Sequence, residues 1–478
     1  MGNERLVVIG GDAAGMSAAS QARRRRGEDD LEIVVIERGR FTSYSACGIP
    51  YLVSGDVDGP DALIARTPDE HRKRGIDLRL GVEAEGLDLD RRRVEIRDLT
   101  TGRADRIGFD HLVLATGAVP IRPPLPGIDA PGVHGVQTLE DARELIEWLA
   151  LEHRRAVVIG GGYIGIEMAE AMVRKGLAVT VVDRSAQPMS TLDPDMGALV
   201  HEAMEGMDID VVTETEVVGI EVTDGRASAV LTADGRFPAD IVVLGLGVRP
   251  ATELARAAGL PLGASGGLTT DLRMRVGVDG GAEGIWAGGD CVEVLDLVSG
   301  RRRHIALGTH ANKHGRVIGT NIGGDYATFP GVVGTAVSKV CDLEIGRTGL
   351  REKDAAAAGF EFVTATIEST GRAGYYPGAR SMRVKMIAER VTGRLLGVQI
   401  VGRDGAAKRI DTAAVALTHR MTVEEITSLD LGYAPPFSPV WDPILVAARK
   451  AAQKVAEDRR PATGPRRPPT AGQLVGGL

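Results

Sequence analysis

The sequence predicts an α/β chain: two units of alternating strands and helices, followed by a separate α+β domain. Three observations predict it. One strand–turn–helix–strand plan occurs twice, further strands end in glycine-rich turns, and the texture of the chain changes near residue 326.

The first copy of the plan is RLVVIGGDAAGMSAASQARRRRGEDDLEIVVIE, residues 5–37: an apolar strand, a glycine turn, an Ala-rich helix, a second strand and a closing acid. The second copy is RAVVIGGGYIGIEMAEAMVRKGLAVTVVD, residues 155–183. Each is a βαβ unit of the size of a dinucleotide-binding half, so both units are Rossmann-like. HLVLATGAVP (111–120), DIVVLGLGVRP (240–250) and GIWAGGDCVEV (284–294) read as strands running into glycine turns, and IRPPLPGIDAPG (121–132) reads as a linker. Beyond residue 326, LEIGRTGL, FVTATIEST, MRVKMIAE and LLGVQIVG alternate like strands and DGAAKRIDTAAVALTHR reads as a helix. The crossover rhythm of a parallel sheet is gone. The end of the chain, EDRRPATGPRRPPTAGQLVGGL, has the Pro, Gly and Arg content of a disordered tail.

The chain has 478 residues, 43% hydrophobic and 26% charged, enough for several packed domains. A net charge of −8 offers no pull toward nucleic acid or an anionic membrane, so neither is an expected partner. MGNERLVVIGG enters a strand at once, without the apolar core of a signal peptide, and no apolar run is long enough to span a bilayer. Cys47, Cys291 and Cys341 are too few and too scattered for a disulfide framework, and the nine histidines show no metal spacing. These features imply a cytoplasmic protein, no metal site, and any working cysteine held as a thiol.

The second fingerprint is complete. Gly160, Gly162 and Gly165 fill G-x-G-x-x-G, which permits a tight turn, close approach to a pyrophosphate and close helix–strand packing. Amides at the helix start would bind the phosphates. Asp183 ends the next strand, where a carboxylate accepts bonds from ribose hydroxyls; this favours NADH, while Arg184 keeps NADPH within reach. The first fingerprint is Gly10-Gly11-Asp12-Ala13-Ala14-Gly15, with Asp12 in the place of the middle glycine, and Glu37 closes its second strand as Asp183 does. Asp290, in WAGGD, offers a further carboxylate after a strand. Two nucleotide seats plus this aspartate suggest FAD in the first unit and a nicotinamide cofactor in the second.

VVIGGDAAG, LVLATGAVP, VVIGGGYIGIE and IWAGGD together resemble the flavoprotein pyridine nucleotide–disulfide oxidoreductases, over residues 1 to about 450. The resemblance implies an FAD-binding domain in two parts (1–120 and 246–325), an NAD(P)H-binding domain (121–245), a dimerisation domain (326–450) and a disordered tail (451–478). It implies that Gly10, Asp12, Ala13, Gly15 and Glu37, with Ala115, Thr116, Gly117 and Asp290, hold FAD. Tyr163 would cover the flavin until the nicotinamide displaces it, and Glu167 would stand near the nicotinamide.

Familiar members store an electron pair in a C-x₄-C disulfide. Here the segment is Ser43-Tyr44-Ser45-Ala46-Cys47, so a serine stands where the first thiol belongs. A lone sulfur accepts two electrons only when it is already oxidised onto an outside atom: a substrate thiol, giving a mixed disulfide, or oxygen, giving a sulfenic acid. Ser43 and Cys47 resemble the single-cysteine branch of the family, which contains coenzyme A disulfide reductases, NADH-dependent persulfide reductases, NADH oxidases and NADH peroxidases. The oxidases and peroxidases carry a histidine where this chain has Ala13, which turns the expectation away from oxygen and peroxide. Ser17, Gln21 and Arg24 match the coenzyme A-binding positions of the first helix, and the neighbouring Arg23, Arg25 and Arg26 read equally as a solvated helix end. Tyr375 and Tyr433, in AGYYPG and YAPPFS, match tyrosines that the dimerisation domain lends to the partner's thiol site. Gly48-Ile49-Pro50 reads as a helix start, which would lower the Cys47 pKa. Cys291 and Cys341 read as packing residues, Cys341 within a strand.

The expected protein is a homodimeric FAD enzyme that uses NADH to reduce a small disulfide or persulfide, coenzyme A disulfide or persulfide foremost, through a Cys47 mixed disulfide. The persulfide enzymes often carry an added rhodanese domain, which is not expected here. Two rivals remain: an NADH oxidase working through a Cys47 sulfenic acid, and a flavin-bearing redox sensor with slow turnover.

Overall fold

A computed structural model describes residues 3–277 and 283–459, which fall into two compact units, residues 1–345 and 346–478. The division lies later than the 325/326 boundary read from the sequence texture.

In the first unit the strand Glu4–Ile9 lies at the centre of a five-stranded parallel sheet. Leu31–Glu37 and Ile76–Leu80 lie on one side of it, His111–Leu114 and Ile285–Ala287 on the other. Its Leu-Val-Val-Ile run is apolar on both faces because both faces are covered; Leu6, Val7 and Val8 have no exposed surface. A second parallel sheet is built the same way around Arg155–Ile159. Ala178–Val182 and Ile209–Val212 lie to one side, Ile241–Leu244 and Val133–His134 to the other.

The duplication runs further than the fingerprints. Each sheet is interrupted by a three-stranded antiparallel meander, residues 82–108 in the first and 217–238 in the second. Each then resumes with the strand that precedes a glycine turn, and the short strands after those turns, Ala118–Pro120 and Val248–Pro250, pair with one another. The residues 121–132, read as a linker, hold no strand or helix.

The first fingerprint helix (Ala13–Arg23) packs on the long helix Gly308–Ile322. The approach is close: a Cβ on Gly315 would lie 2.3 Å from the Ala14 carbonyl oxygen, and one on Gly319 2.4 Å from that of Ala18. Small residues on both helices are what this spacing demands.

In the second unit the strand Ser381–Glu389 pairs antiparallel with Phe362–Thr370 and Leu395–Gly402, and the helices Ala406–Thr418 and Pro443–Arg459 cover the sheet. Residues 451–459, expected as the start of the tail, belong to the helix, because AAQKVAEDR is rich in good helix formers and holds no proline. Residues 460–478 lie outside the described residues. Cys341, expected in a strand, sits in the turn between Ala336–Val340 and Leu343–Gly349 with φ +53°.

Candidate functional site

Four turns meet at the carboxyl ends of the first sheet: Gly10 after the central strand, Glu37 at the end of its neighbour, Ala115-Thr116-Gly117, and Gly288-Gly289-Asp290. Chain connections leave the central strand in both directions here, which opens the crevice where α/β sheets bind ligands. Glycine is obligatory at two points. Gly10 has φ +107° and a Cβ on it would lie 2.1 Å from the Ala115 carbonyl oxygen; a Cβ on Gly15 would lie 1.9 Å from the Gly10 oxygen. The second turn repeats the contact, with Gly165 against the Gly160 oxygen at 1.8 Å.

The two closing acids do the same local work. Glu37 accepts the Gly11 and Gly39 amides, both at 2.7 Å, and Asp183 accepts the Gly161 amide at 2.5 Å and the Ser185 amide at 2.7 Å. Each carboxylate so clamps its own turn and keeps lone pairs for ribose hydroxyls. Asp12 and Asp290 are pushed toward the neutral form by burial. Asp12 reaches about 6, with the charges of Glu37 and Asp290 adding to the effect. Thr116 donates to the Ala251 carbonyl at 2.6 Å, and Cys291 is fully buried beneath the turn, near the Leu114 and Gly288 carbonyls, as a packing residue should be.

These residues fit a dinucleotide in each crevice. The place of a Cβ on Gly162 is open space, the cradle a pyrophosphate needs. Tyr163, first residue of the second fingerprint helix (Tyr163–Arg174), buries its hydroxyl without any partner among the described residues. Four residues on, Glu167 accepts the Ser338 hydroxyl at 2.8 Å, and burial holds its pKa above the usual carboxylate range.

Cys47 lies in a short turn, Ala46–Gly48, that leads into the helix Ile49–Ser54, which starts with proline in its first turn as expected. That helix packs against the second fingerprint helix. Cys47 is exposed, and its pKa is raised, not lowered: partial desolvation acts first, then the charges of Glu167 and Asp290. The expectation of a helix-activated thiolate fails because the helix is only six residues long and desolvation, added to by two like charges, opposes the thiolate. Both carboxylates act on the sulfur, Glu167 from the second fingerprint helix and Asp290 from the glycine turn of the first sheet.

Ser43 is close to this turn but turned into the protein. Its backbone is left-handed (φ +51°) and its Oγ lies 2.9 Å from His71 Nε2. His71 is 1% exposed, burial lowers its pKa to about 4, and its Nδ1 has no partner among the described residues. A neutral imidazole orphans an acceptor more cheaply than an N–H, so Nε2–H donates to Ser43 and leaves the serine proton free to donate elsewhere. Nothing in the sequence marked His71, which is distant along the chain and carries no motif. Tyr51, four residues after Cys47, was also missed; burial and the charges of Glu167, Glu170 and Cys47 raise its pKa.

Along the first fingerprint helix, the Ser17 hydroxyl donates to Asn312 at 2.8 Å and Gln21 donates to Thr320 at 3.0 Å. Gln21 is sealed between the two helices, whereas the Arg24 side chain is exposed and donates to Gln21 at 3.2 Å. The other three arginines are structural. Arg23 binds the Leu31 and Gly75 carbonyls, Arg25 pairs with Asp325, and Arg26 pairs with Glu4 and Asp30. Asn312, which accepts the Ser17 hydroxyl, and Arg316 one turn on are exposed on the long helix and were not foreseen. In the second unit Tyr375 and Tyr433 are both exposed, and the influence of the Tyr375 phenol raises the Tyr433 pKa.

The comparisons with known proteins agree with this geometry. The family model described as "Pyridine nucleotide-disulphide oxidoreductase" matches residues 4–315, and that of its dimerisation domain matches residues 335–443. A "NAD(P)H coenzyme A polysulfide/persulfide reductase" of Pyrococcus horikoshii is 40% identical, over 93% of this chain and 98% of the relative. An "NADH oxidase" of Methanocaldococcus jannaschii is 36% identical, over 95% and 99%. The solved structure of a NAD-dependent persulfide reductase from A. fulgidus superposes with a TM-score of 0.91 at 40% identity, covering 95% of this chain and 84% of that one. The chain belongs to the pyridine nucleotide-disulphide oxidoreductases.

Proposed function

We propose that this chain is an FAD-dependent NAD(P)H oxidoreductase that reduces coenzyme A disulfide, or a coenzyme A persulfide or polysulfide, through Cys47. The observation that carries the reading is one exposed free sulfur on the turn that leads into the helix packed against the second fingerprint helix, while Cys291 is buried and Cys341 is half-buried in the turn after Ala336–Val340. The name of the Pyrococcus relative supports the coenzyme A substrate.

Gly10, Gly15, Glu37, Ala115–Gly117 and Asp290 would hold FAD, which when bound supplies a two-electron carrier between a hydride donor and a disulfide. Gly160, Gly162, Gly165 and Asp183 would hold the nicotinamide dinucleotide, with Arg184 exposed beside the acid and available to a 2′-phosphate. Arg24 would meet coenzyme A phosphates. The Cys47 thiolate attacks the substrate S–S bond, one thiolate leaves, and a Cys47–S–S–R bond forms. Two electrons, drawn in the end from NAD(P)H, cleave that bond and one proton completes R–SH. The exposed Tyr375 and Tyr433 of a partner subunit supply donors to departing sulfur, while Ser43 stays engaged with His71. The exposed apolar run Phe437, Val440 and Trp441 supports a homodimer that covers it. A cytoplasmic, thiol-keeping compartment suits an exposed working cysteine, and among the described residues no helix is long and apolar enough to cross a membrane.

Cys47→Ser tests the reading. Disulfide-dependent NADH oxidation should fall at least about a hundredfold while NADH still bleaches the flavin in a single turnover. Retained disulfide turnover would refute it. The Methanocaldococcus relative favours a second reading, oxygen reduction through a Cys47 sulfenic acid; rapid NADH oxidation in air without any added disulfide would select it.

A further inference from the structure

Asp12 occupies the place where the fingerprint has its middle glycine, and the repeat at Gly162 shows what that place is for. A carboxylate there is an odd choice beside a pyrophosphate. Asp12 is the N-cap of the first fingerprint helix, in extended backbone, yet its side chain makes no capping bond to that helix. Its Oδ1 instead accepts the Tyr44 amide at 3.2 Å. One residue earlier in the same turn, the Gly11 carbonyl accepts the hydroxyl of Thr42 at 2.5 Å, and Thr42 is 1% exposed. Two consecutive residues of the nucleotide turn so grip two residues of the segment that carries Ser43 and Cys47.

The rest of that segment is held from the other side. Tyr44 bridges Ile64, the Ser45 amide donates to the Leu63 carbonyl at 2.9 Å, and the Ala65 amide donates to Ser43 at 2.8 Å. The Gly48 amide then donates back to Ser45, closing the turn that presents Cys47. Hydrogen bonds so hold the segment from Thr42 to the turn that carries Cys47.

We infer that Asp12 is a positioning residue: it latches the Thr42–Cys47 segment to the FAD turn and fixes where the Cys47 sulfur stands. A glycine in its place would satisfy the nucleotide but offer no acceptor to Tyr44. The inference rests on Cys47 being the redox thiol.

The test uses the FAD-loaded, full-length protein with four variants: D12A removes the acceptor, D12N keeps an oxygen acceptor without charge, T42V removes the second latch at equal volume, and C47S is the control. In D12A and in T42V the rate of disulfide turnover should fall at least about tenfold more than the rate of flavin reduction by NADH, and D12N should recover disulfide turnover to within about threefold of the parent. Equal losses in both half-reactions would overturn the latch, as would D12N behaving like D12A. So would loss of bound FAD from D12A while T42V turns over normally, since Asp12 would then act on the cofactor alone. A dead C47S with a normal D12A would sink only this inference; a C47S that still reduces disulfide would sink the reading on which it rests.

Discussion

At Cys47 the protein sets a nucleophile in an unfavourable field. Partial desolvation and two carboxylates hold it as a thiol, and a thiol attacks disulfides poorly. The alkylation rate of Cys47 by iodoacetamide should therefore rise with pH to a midpoint above the roughly 8.5 of a free cysteine. Glu167→Gln removes one like charge and should move that midpoint down only part of the way, since desolvation, the larger cause, remains. A midpoint that stays put in E167Q would show that the carboxylate does not reach the sulfur. The sequence made the chemistry of this residue legible, because a lone cysteine four places after a serine leaves few options. The sign of its pKa shift was not legible, since that depends on Glu167 and Asp290, each more than a hundred residues away. His71 was invisible for the same reason: it joins Ser43 through a contact that no spacing records.

At the scale of elements, strand, turn, helix and acid are fixed together by glycine contacts and by the clamp each acid puts on its own turn. Gly165→Ala would drive a Cβ to 1.8 Å from the Gly160 oxygen and part the helix from its strand. Bound FAD should be retained while KM for NADH rises at least about tenfold, equivalent to about 1.4 kcal/mol of lost binding. Loss of FAD with unchanged KM would reverse the assignment of the two seats. These units could be read from sequence because periodicity and glycine spacing are local. The paired meanders at 82–108 and 217–238 are harder to read: strands such as Arg93–Asp98 do alternate, but each is short and nothing local names its partners. The grip of the first fingerprint helix on the long helix was likewise hidden: Gly315 and Gly319 mean nothing until Ala14 and Ala18 lie against them.

At the scale of the molecule, several imidazoles are buried neutral. His71, His134 and His310 are lowered from 6.5 to about 4, and His314 to about 3, all chiefly by burial. In the unfolded chain they take up protons near 6.5, which the folded chain refuses until well below that value. The unfolded state then binds more protons, so stability falls as pH drops through this window. Asp12, raised to about 6, works in the opposite direction but only from there downward. The urea midpoint should therefore decline between pH 7 and about 6; a flat or rising midpoint would mean the histidines are not held neutral. The change to a C-terminal α+β unit was legible in the strand texture, but its border was not, since the structure divides at 345/346. The helix that runs to Arg459 was not, as its Ala, Lys and Glu content is shared by helices and by solvated tails alike.

The central claim is that the electron pair leaves through Cys47 joined to a small-molecule sulfur. It is tested most directly by mass spectrometry of the non-reduced holoenzyme after exposure to coenzyme A disulfide. A coenzyme A adduct on the Cys47 peptide, released by NADH, is the predicted result. An unmodified Cys47, or an adduct on Cys341 instead, would contradict it.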